Sequence, residues 1–324
     1  MISLFITILN MSLTGAFVIT IICLVRLILR KSPKIFLYCL WTVAGFRLAF
    51  PFSIESTLSL MPFSAQLIPM DIAVPPISYV EEFSVAAHLY SGSPLQTWIA
   101  AGSFIWLAGV ALMLFRGVAS LVILKRSLKK VVNVEANIYE TGALKTPFVI
   151  GAFSPKIYLP THLSARERRY IILHEQTHIR RCDHIVKFAA YFILCLHWFN
   201  PLAWLAFWLM NMDMEMSCDE RVLNKLGGGA DIKKDYSLAL LSLATGRRII
   251  GGSPLAFIDG DVSSRVRNVL KLKKQSYIIF GISMVLVAAL SLGFSVNRVS
   301  DYTQSYYVSH EPAQTNSFRI LCCD

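Results

Sequence analysis

The chain has 324 residues, 55% of them hydrophobic, with a mean hydropathy of +0.55 and a formal charge of +11. So apolar a composition excludes an ordinary soluble domain and places much of the chain in lipid. Of the 31 basic residues, 24 lie between Arg116 and Lys274, spread through hydrophobic sequence with no nucleic-acid motif beside them. The charge therefore suits anionic membrane lipid as a partner and argues against direct nucleic-acid binding.

Residues 2–25 carry no charge, enough for one membrane span, and Arg26, Arg30, Lys31 and Lys34 follow at once. Such a basic cluster anchors a retained helix on its cytoplasmic side, which predicts an external N-terminus. A second apolar run, residues 35–53, returns the chain outward; Arg47 near its far end is expected to reach the outer headgroups. Residues 54–94 contain neither Lys nor Arg and read as an external loop. A third span, residues 95–124, ends in Lys125, Arg126, Lys129 and Lys130; a fourth, 276–296, follows Lys271, Lys273 and Lys274 and leaves a short external tail, 297–324. The seven cysteines form no CxxC pair, so no disulfide framework is implied. Cys322 and Cys323 fall in the external tail, where their spacing assigns them no role.

Residues 125–275 are then the cytoplasmic part. The short pieces "NIYET", "PFVIG" and "KIYLP", punctuated by Gly and Pro, predict a small sheet. Ser164 and Glu167 have the spacing of a capping box, so a helix is expected to begin near Ala165 and to carry "HEQTH" well inside it. His174 and His178, four residues apart, share a helix face and can aim both rings at one ion, while Glu175 places a general base beside the attacking water. Two histidines alone also suit a solvated helix face, so the reading needs a third ligand. His184 has the metzincin spacing, but Arg181 stands where that motif has Gly; on a continuous helix His184 faces away.

Residues 188–212 are 25 uncharged positions, yet both flanks are basic, and Asn200–Pro201 divides the run. Two helices of about 12 residues are too short to span, which predicts a re-entrant hairpin (185–212) that carries the chain back toward HEQTH. It returns as "MNMDMEMSCDERVL", where Glu215 and Asp219 share a face; a carboxylate there completes the site, and Asp219 suits the second nitrogen of a ligand histidine. Asp183 is another supporting acid. His184 and His197 are candidates for substrate contact or for ordinary burial.

With these residues, the chain resembles the membrane zinc peptidases typified by the BlaR/MecR-type β-lactam sensor-transducers. The likeness covers most of residues 1–296 and rests on the span order, "TPFVIGAFSPKIYLP", "HEQTHIRRCDH", "HWFNPLAW" and "MEMSCDERVL". It implies one Zn2+ per chain held by His174, His178 and Glu215, Glu175 as catalytic base, Asp219 in support, and an α-rich multi-pass fold of four transmembrane helices with a small cytoplasmic α+β zincin-like unit. It also implies signalling, in which an external stimulus leads the peptidase to cut itself or to remove a cytoplasmic transcriptional repressor. The family's penicillin-binding domain is not expected after the last span, and no S-x-x-K motif occurs there, so a separate sensor subunit or the 54–94 loop would receive the signal; a homodimer is compatible. In the zincin mode a substrate strand would pair at Pro147, Phe148, Val149, Ile150 and Gly151. The Gly/Ser/Pro-bearing stretch 246–261 is the expected self-cleavage segment, at Ala256–Phe257. The reading from another class is a non-catalytic zinc-containing receptor that relays an external signal; a transporter fits less well, because intramembrane charge is sparse.

Overall fold

The computed structural model describes residues 1–51, 54–56, 59–61, 68, 94–128, 131–135, 137–142, 144, 146–151, 153–245, 262–272 and 276–297. The proposed cleavage segment with Ala256 and Phe257, most of the 54–94 loop, and Cys322 and Cys323 lie outside these residues.

Helix α1 (Ile2–Ile28) runs into a single 3-10 turn, Leu29–Lys31, and Ser32–Pro33 reverses the chain into α2 (Lys34–Ala49). A two-residue strand β1 (Ile54–Glu55) precedes α3 (Pro94–Ser127). Four short strands follow: β2 (Val132–Glu135), β3 (Ile138–Thr141), β4 (Phe148–Ile150) and β5 (Lys156–Pro160). The rest is helical: α4 (Ala165–Arg180), α5 (Asp183–Leu196), α6 (Pro201–Lys225), α7 (Ala230–Thr245), α8 (Val262–Lys271) and α9 (Tyr277–Ser295), with β6 (Val296–Asn297) pairing β1 in parallel.

Among the described residues, three helices are long and apolar enough to cross a membrane: Ile2–Lys31, Gln96–Ser127 and Tyr277–Ser295. The expected second span forms the 16-residue α2, about 24 Å of helix against a hydrocarbon core of about 30 Å. Nor does Arg47 reach for headgroups. It is buried, and its guanidinium donates to the carbonyls of Phe294 and Val296 at the end of α9. A cation that caps orphan helix carbonyls satisfies its own donors without water.

Asn200 and Pro201 do divide the apolar run, but only the first arm of the hairpin ends where it was expected to. Asn200 caps α6 by accepting from Leu202 N (2.9 Å), with Pro201 at the first helical position, where its missing N–H costs nothing. The second arm does not stop at residue 212: α6 continues for 25 residues, about 37 Å, through Glu215 and Asp219. Apolar at its start and acidic at its end, it lies in two environments on one unbroken axis. The hairpin tip sits among α1, α2 and α3. Asn200 Nδ2 donates to Ser12 Oγ (2.8 Å) in the middle of α1, Trp106 of α3 donates to Leu196 O (2.8 Å), and His197 Nε2 lies 2.9 Å from Leu48 O. A Cβ on Gly109 would collide with the Trp198 indole, so glycine there is what allows α3 to approach the tip.

The core of the membrane half is a cluster from α1, α2, α5, α6 and α9, including Ile19, Leu40, Leu194 and Met214. A second cluster, with Tyr170, Val222, Leu223 and Tyr236, packs α4, α6, α7 and α8; a third joins the sheet to α4 and α7 through Ile138, Ile157, Leu159 and Ile171. Strand order is β2-β3-β5-β4, with β3–β5 parallel and the other pairs antiparallel. The three expected strands are there; β2 completes the sheet and β4 is an edge. Gly151 leaves β4 at φ +112, where a Cβ would also meet Ser154 O, and so only glycine turns the chain toward β5 here.

Asn200 caps one helix and ties it to another, both inside apolar surroundings. Asn200→Ala is expected to cost about 1–2 kcal/mol of stability, read as a lowered melting temperature of the detergent-solubilised protein.

Candidate metal centre

The capping box of α4 forms as its spacing predicts: Ser164 Oγ accepts from Glu167 N, and Glu167 accepts from Ser164 N (2.9 Å). That fixes the start of the helix and hence which face carries His174 and His178. Both histidines are buried, and their Nε2 atoms lie 3.0 Å apart. Glu215 Oε2, brought from α6, is 3.3 Å from His174 Nε2 and 3.5 Å from His178 Nε2. Three donors on a tetrahedron with metal–ligand bonds of about 2.0–2.1 Å stand about 3.3 Å from one another, so this triangle has the size zinc requires.

The opposite ring nitrogens meet acids. His178 Nδ1 is 2.7 Å from Asp183 Oδ2, and His174 Nδ1 is 3.2 Å from Asp219 Oδ1 and 2.9 Å from the Tyr236 hydroxyl, which donates to Asp219 Oδ1 (2.7 Å). Acids at Nδ1 keep its proton there and leave the Nε2 lone pairs facing one another and Glu215, the tautomer a metal ligand needs. Glu175 is half-buried one residue after His174.

Two cations complete the site. Arg265, from α8, forms a fork on Asp219 (Nε–Oδ2 2.8 Å, Nη2–Oδ1 2.7 Å) and reaches Glu215 Oε2 (3.2 Å) and His174 Nε2 (3.3 Å). Lys187, from α5, holds the other Glu215 oxygen at 3.0 Å. Burial alone would push both carboxyls up; for Asp219 the Arg265 guanidinium, and for Glu215 Lys187, His178 and Arg265, hold them well below the usual carboxylate range. Cys218, one helical turn past Glu215, is fully buried, and with His174 and His178 it offers three donor atoms within 4.8 Å of one another. Burial raises its thiol, yet the two imidazoles outweigh that and bring it down to about 7.

His184 is absent from that donor group among the described residues. The reason differs from the continuous helix expected. Helix α4 ends at Arg180, and Cys182 turns the chain in the left-handed conformation, φ 57, without a glycine. Arg181 offsets the strain: it stacks on the Tyr38 ring (4.9 Å) and binds Asp183 and Ser217 Oγ (3.3 and 2.9 Å). His197 is buried at the hairpin tip with Leu48, away from the site. Cys218, Lys187, Tyr236 and Arg265 were not foreseen. Cys218 had a local signal, a position three residues after Glu215 on the same helix face; the others reach the site only through tertiary packing.

The family model described as BlaR1 peptidase M56 matches residues 6–269. The chain belongs to this family. Among curated proteins it is similar to the regulatory protein BlaR1 of Bacillus licheniformis, 28% identical over 173 residues, which is 46% of this chain and 28% of that protein. It is also similar to the methicillin resistance mecR1 protein of Staphylococcus aureus, 26% identical over 163 residues, 45% of this chain and 28% of that protein. The matched stretch thus spans little more than a quarter of each relative. An M56 peptidase is a metallopeptidase, and the donor set suits a metal of zinc's preferences: imidazole nitrogens with a carboxylate or thiolate, and acids behind the histidines.

Arg265 is the cation that touches both Asp219 and Glu215. Arg265→Gln leaves Asp219 and Glu215 short of a cation, and is expected to cost about 3–5 kcal/mol of stability, measured by denaturation in detergent.

Proposed function

We propose that this chain is a membrane-embedded zinc metalloendopeptidase acting on a cytoplasmic protein substrate. The observation that carries the reading is the triangle of His174 Nε2, His178 Nε2 and Glu215 Oε2, with edges of 3.0, 3.3 and 3.5 Å. In this reading those three side chains hold zinc, while Asp183 and Asp219 orient the histidines. Zinc bound there supplies Lewis acidity toward the scissile carbonyl and the attacking water. Glu175 takes the water's proton and returns it to the leaving amine. The edge strand β4, with Pro147 and Gly151 at its ends, aligns an extended substrate by main-chain pairing, and Phe148, Val149 and Ile150 set its side-chain pockets. The substrate is the chain itself, at Ala256–Phe257, or a transcriptional repressor. The names of the relatives, a regulatory protein and a methicillin resistance protein, are in keeping with such a signalling role.

The topology in this reading is four-pass, with both termini external and the metal centre on the cytoplasmic side. The basic end of α1 and the start of α2 lie beside α6's acids, which supports it: Arg26 binds Asp213, and the Lys34 N–H donates to Glu220 Oε2. Helix α2 is short for a span, and a locally thinned bilayer is the expected accommodation. The exposed Phe188, Phe192, Trp204 and Trp208 of the hairpin give it a lipid-facing aromatic surface.

Cys218 supports a second reading of the ligand set, in which its thiolate replaces Glu215. The two differ in cobalt-substituted protein. Glu215 ligation predicts no sulfur-to-cobalt charge-transfer band in the near ultraviolet and strong loss of metal in Glu215→Ala but not in Cys218→Ala; thiolate ligation predicts the band and the reverse order.

Enzyme and relay separate at Glu175, which moves a proton and does not hold metal. Glu175→Gln is expected to keep zinc and fold while losing 10²- to 10⁴-fold in cleavage of the chain or of a co-expressed repressor. His174→Ala is expected to lose both metal and cleavage. A zinc-loaded Glu175→Gln protein that still signals fully, scored with a reporter, would sink the peptidase reading and favour a non-catalytic receptor.

A further inference from the structure

Along α2, Lys34, Tyr38 and Trp41 follow at intervals of four and three residues, so they lie on one face of the helix. Each makes one polar contact with an acid of the metal-centre half. The backbone N–H of Lys34 donates to Glu220 Oε2 (2.9 Å), the Tyr38 hydroxyl donates to Asp183 Oδ1 (3.2 Å), and the Trp41 indole donates to Asp213 Oδ2 (3.0 Å). None of these acids is peripheral. Asp183 carries His178 Nδ1 on its other oxygen, Asp213 stands two residues before Glu215, and Glu220 follows Asp219 and also accepts from Asn268 of α8 (3.1 Å). All three are buried, so each contact replaces water that the acid has lost.

We propose that Tyr38 is a positioning residue for the metal centre, acting through Asp183 on His178, and that this face of α2 is the element by which the membrane helices set the centre's geometry. The proposal rests on the reading of His178 as a zinc ligand. The Tyr38 hydroxyl is the sole side-chain contact of α2 with an acid that touches a proposed ligand ring, among the hydrogen bonds described. Its ring also bears the Arg181 guanidinium, which binds Asp183 Oδ2 (3.3 Å) and Ser217 Oγ on α6 (2.9 Å). The hydroxyl and the stacked cation therefore fix the same carboxylate from two sides, and a shift of α2 relative to α5 moves Asp183, then the His178 ring. Because α2 joins directly to α1 and packs on α9, displacement of either span is transmitted to that ring.

The test is a double-mutant cycle on the full-length protein in detergent, with zinc affinity read by competition against a chromophoric chelator. Asp183→Asn is expected to weaken zinc by about 10- to 100-fold. Tyr38→Phe, which keeps the ring and its stacking, is expected to weaken it by about fivefold, the effect of one hydrogen bond. In the Asp183→Asn background, Tyr38→Phe should have no further effect. It should also shift the visible d–d bands of the cobalt-substituted protein, which a residue that only packs would leave in place. Cys39→Ser, on the exposed side of α2, should alter neither. The proposal is overturned if Tyr38→Phe leaves affinity and bands unchanged, or if it weakens zinc equally with and without Asp183. Loss of zinc in His178→Ala combined with indifference to Tyr38 would overturn the positioning role alone; a wild-type chain that takes up no zinc overturns both it and the metallopeptidase reading.

Discussion

Five acids are buried along or against one helix, and the rest of the structure is arranged around satisfying them. Asp213, Glu215, Asp219 and Glu220 of α6, and Asp183 of α5, are all nearly inaccessible to water. Taking a carboxylate out of water costs several kcal/mol, so each must meet a cation or several donors. The cations come from different places: Arg26 from α1 for Asp213, Lys187 from α5 for Glu215, Arg265 from α8 for Asp219, and Arg181 from the α4–α5 turn for Asp183. Such pairs add little net stability, because Coulomb attraction mainly offsets desolvation. What they supply is selection: an arrangement that misplaces any one helix strands a buried charge, whereas apolar contacts alone tolerate sliding.

That constraint explains how a hydrophobic chain builds a polar centre. The histidine face of α4 is fixed at its N-terminus by the capping box and at its C-terminus by Arg181 and Cys182. Helix α6 is fixed near its start by Asn200 in the membrane half and farther along by Asp213 and Arg26. Each helix is thus located by groups outside the centre, and the short distances among His174, His178 and Glu215 follow from where the two axes cross. The acids behind the rings then set the tautomer, which neither helix determines by itself.

Features governed by local chemistry were legible in the sequence. HEQTH, the Ser164–Glu167 box, the Asn200–Pro201 break, the strand pieces and the apolar runs of α1, α3 and α9 depend on neighbours a few residues away, and they appear as elements near their expected bounds. The pairing of Glu215 with Asp219 was legible too, since four residues on a helix share a face. Arg265 was not: it lies 46 residues from Asp219, in a short basic stretch that resembles the other basic stretches near the membrane. Lys187 and Tyr38 were hidden for the same reason. The end of α4 misled in a different way. A left-handed turn normally advertises itself with glycine, and here Cys182 adopts it at a cost of about 1–2 kcal/mol that contacts of Arg181 offset. The continuity of α6 was missed because a change from apolar to acidic residues looks like a boundary, although helical hydrogen bonding is indifferent to that change.

The same continuity means that α6 carries one helix axis through two of the clusters of buried side chains. The apolar start of α6 belongs to the core shared with α1, α2, α5 and α9, while its end belongs to the core shared with α4, α7 and α8. Severing the membrane helices would uncover Leu209, Met210 and Met212 and remove Arg26, Trp41 and Tyr38 from Asp213 and Asp183. The acids would regain water, and the His174–His178–Glu215 triangle would lose two of its outer supports together. The contacts that locate the His174, His178 and Glu215 side chains therefore extend, through Asp183 and Asp213, to residues of α1 and α2 as well as to α4, α5 and α6.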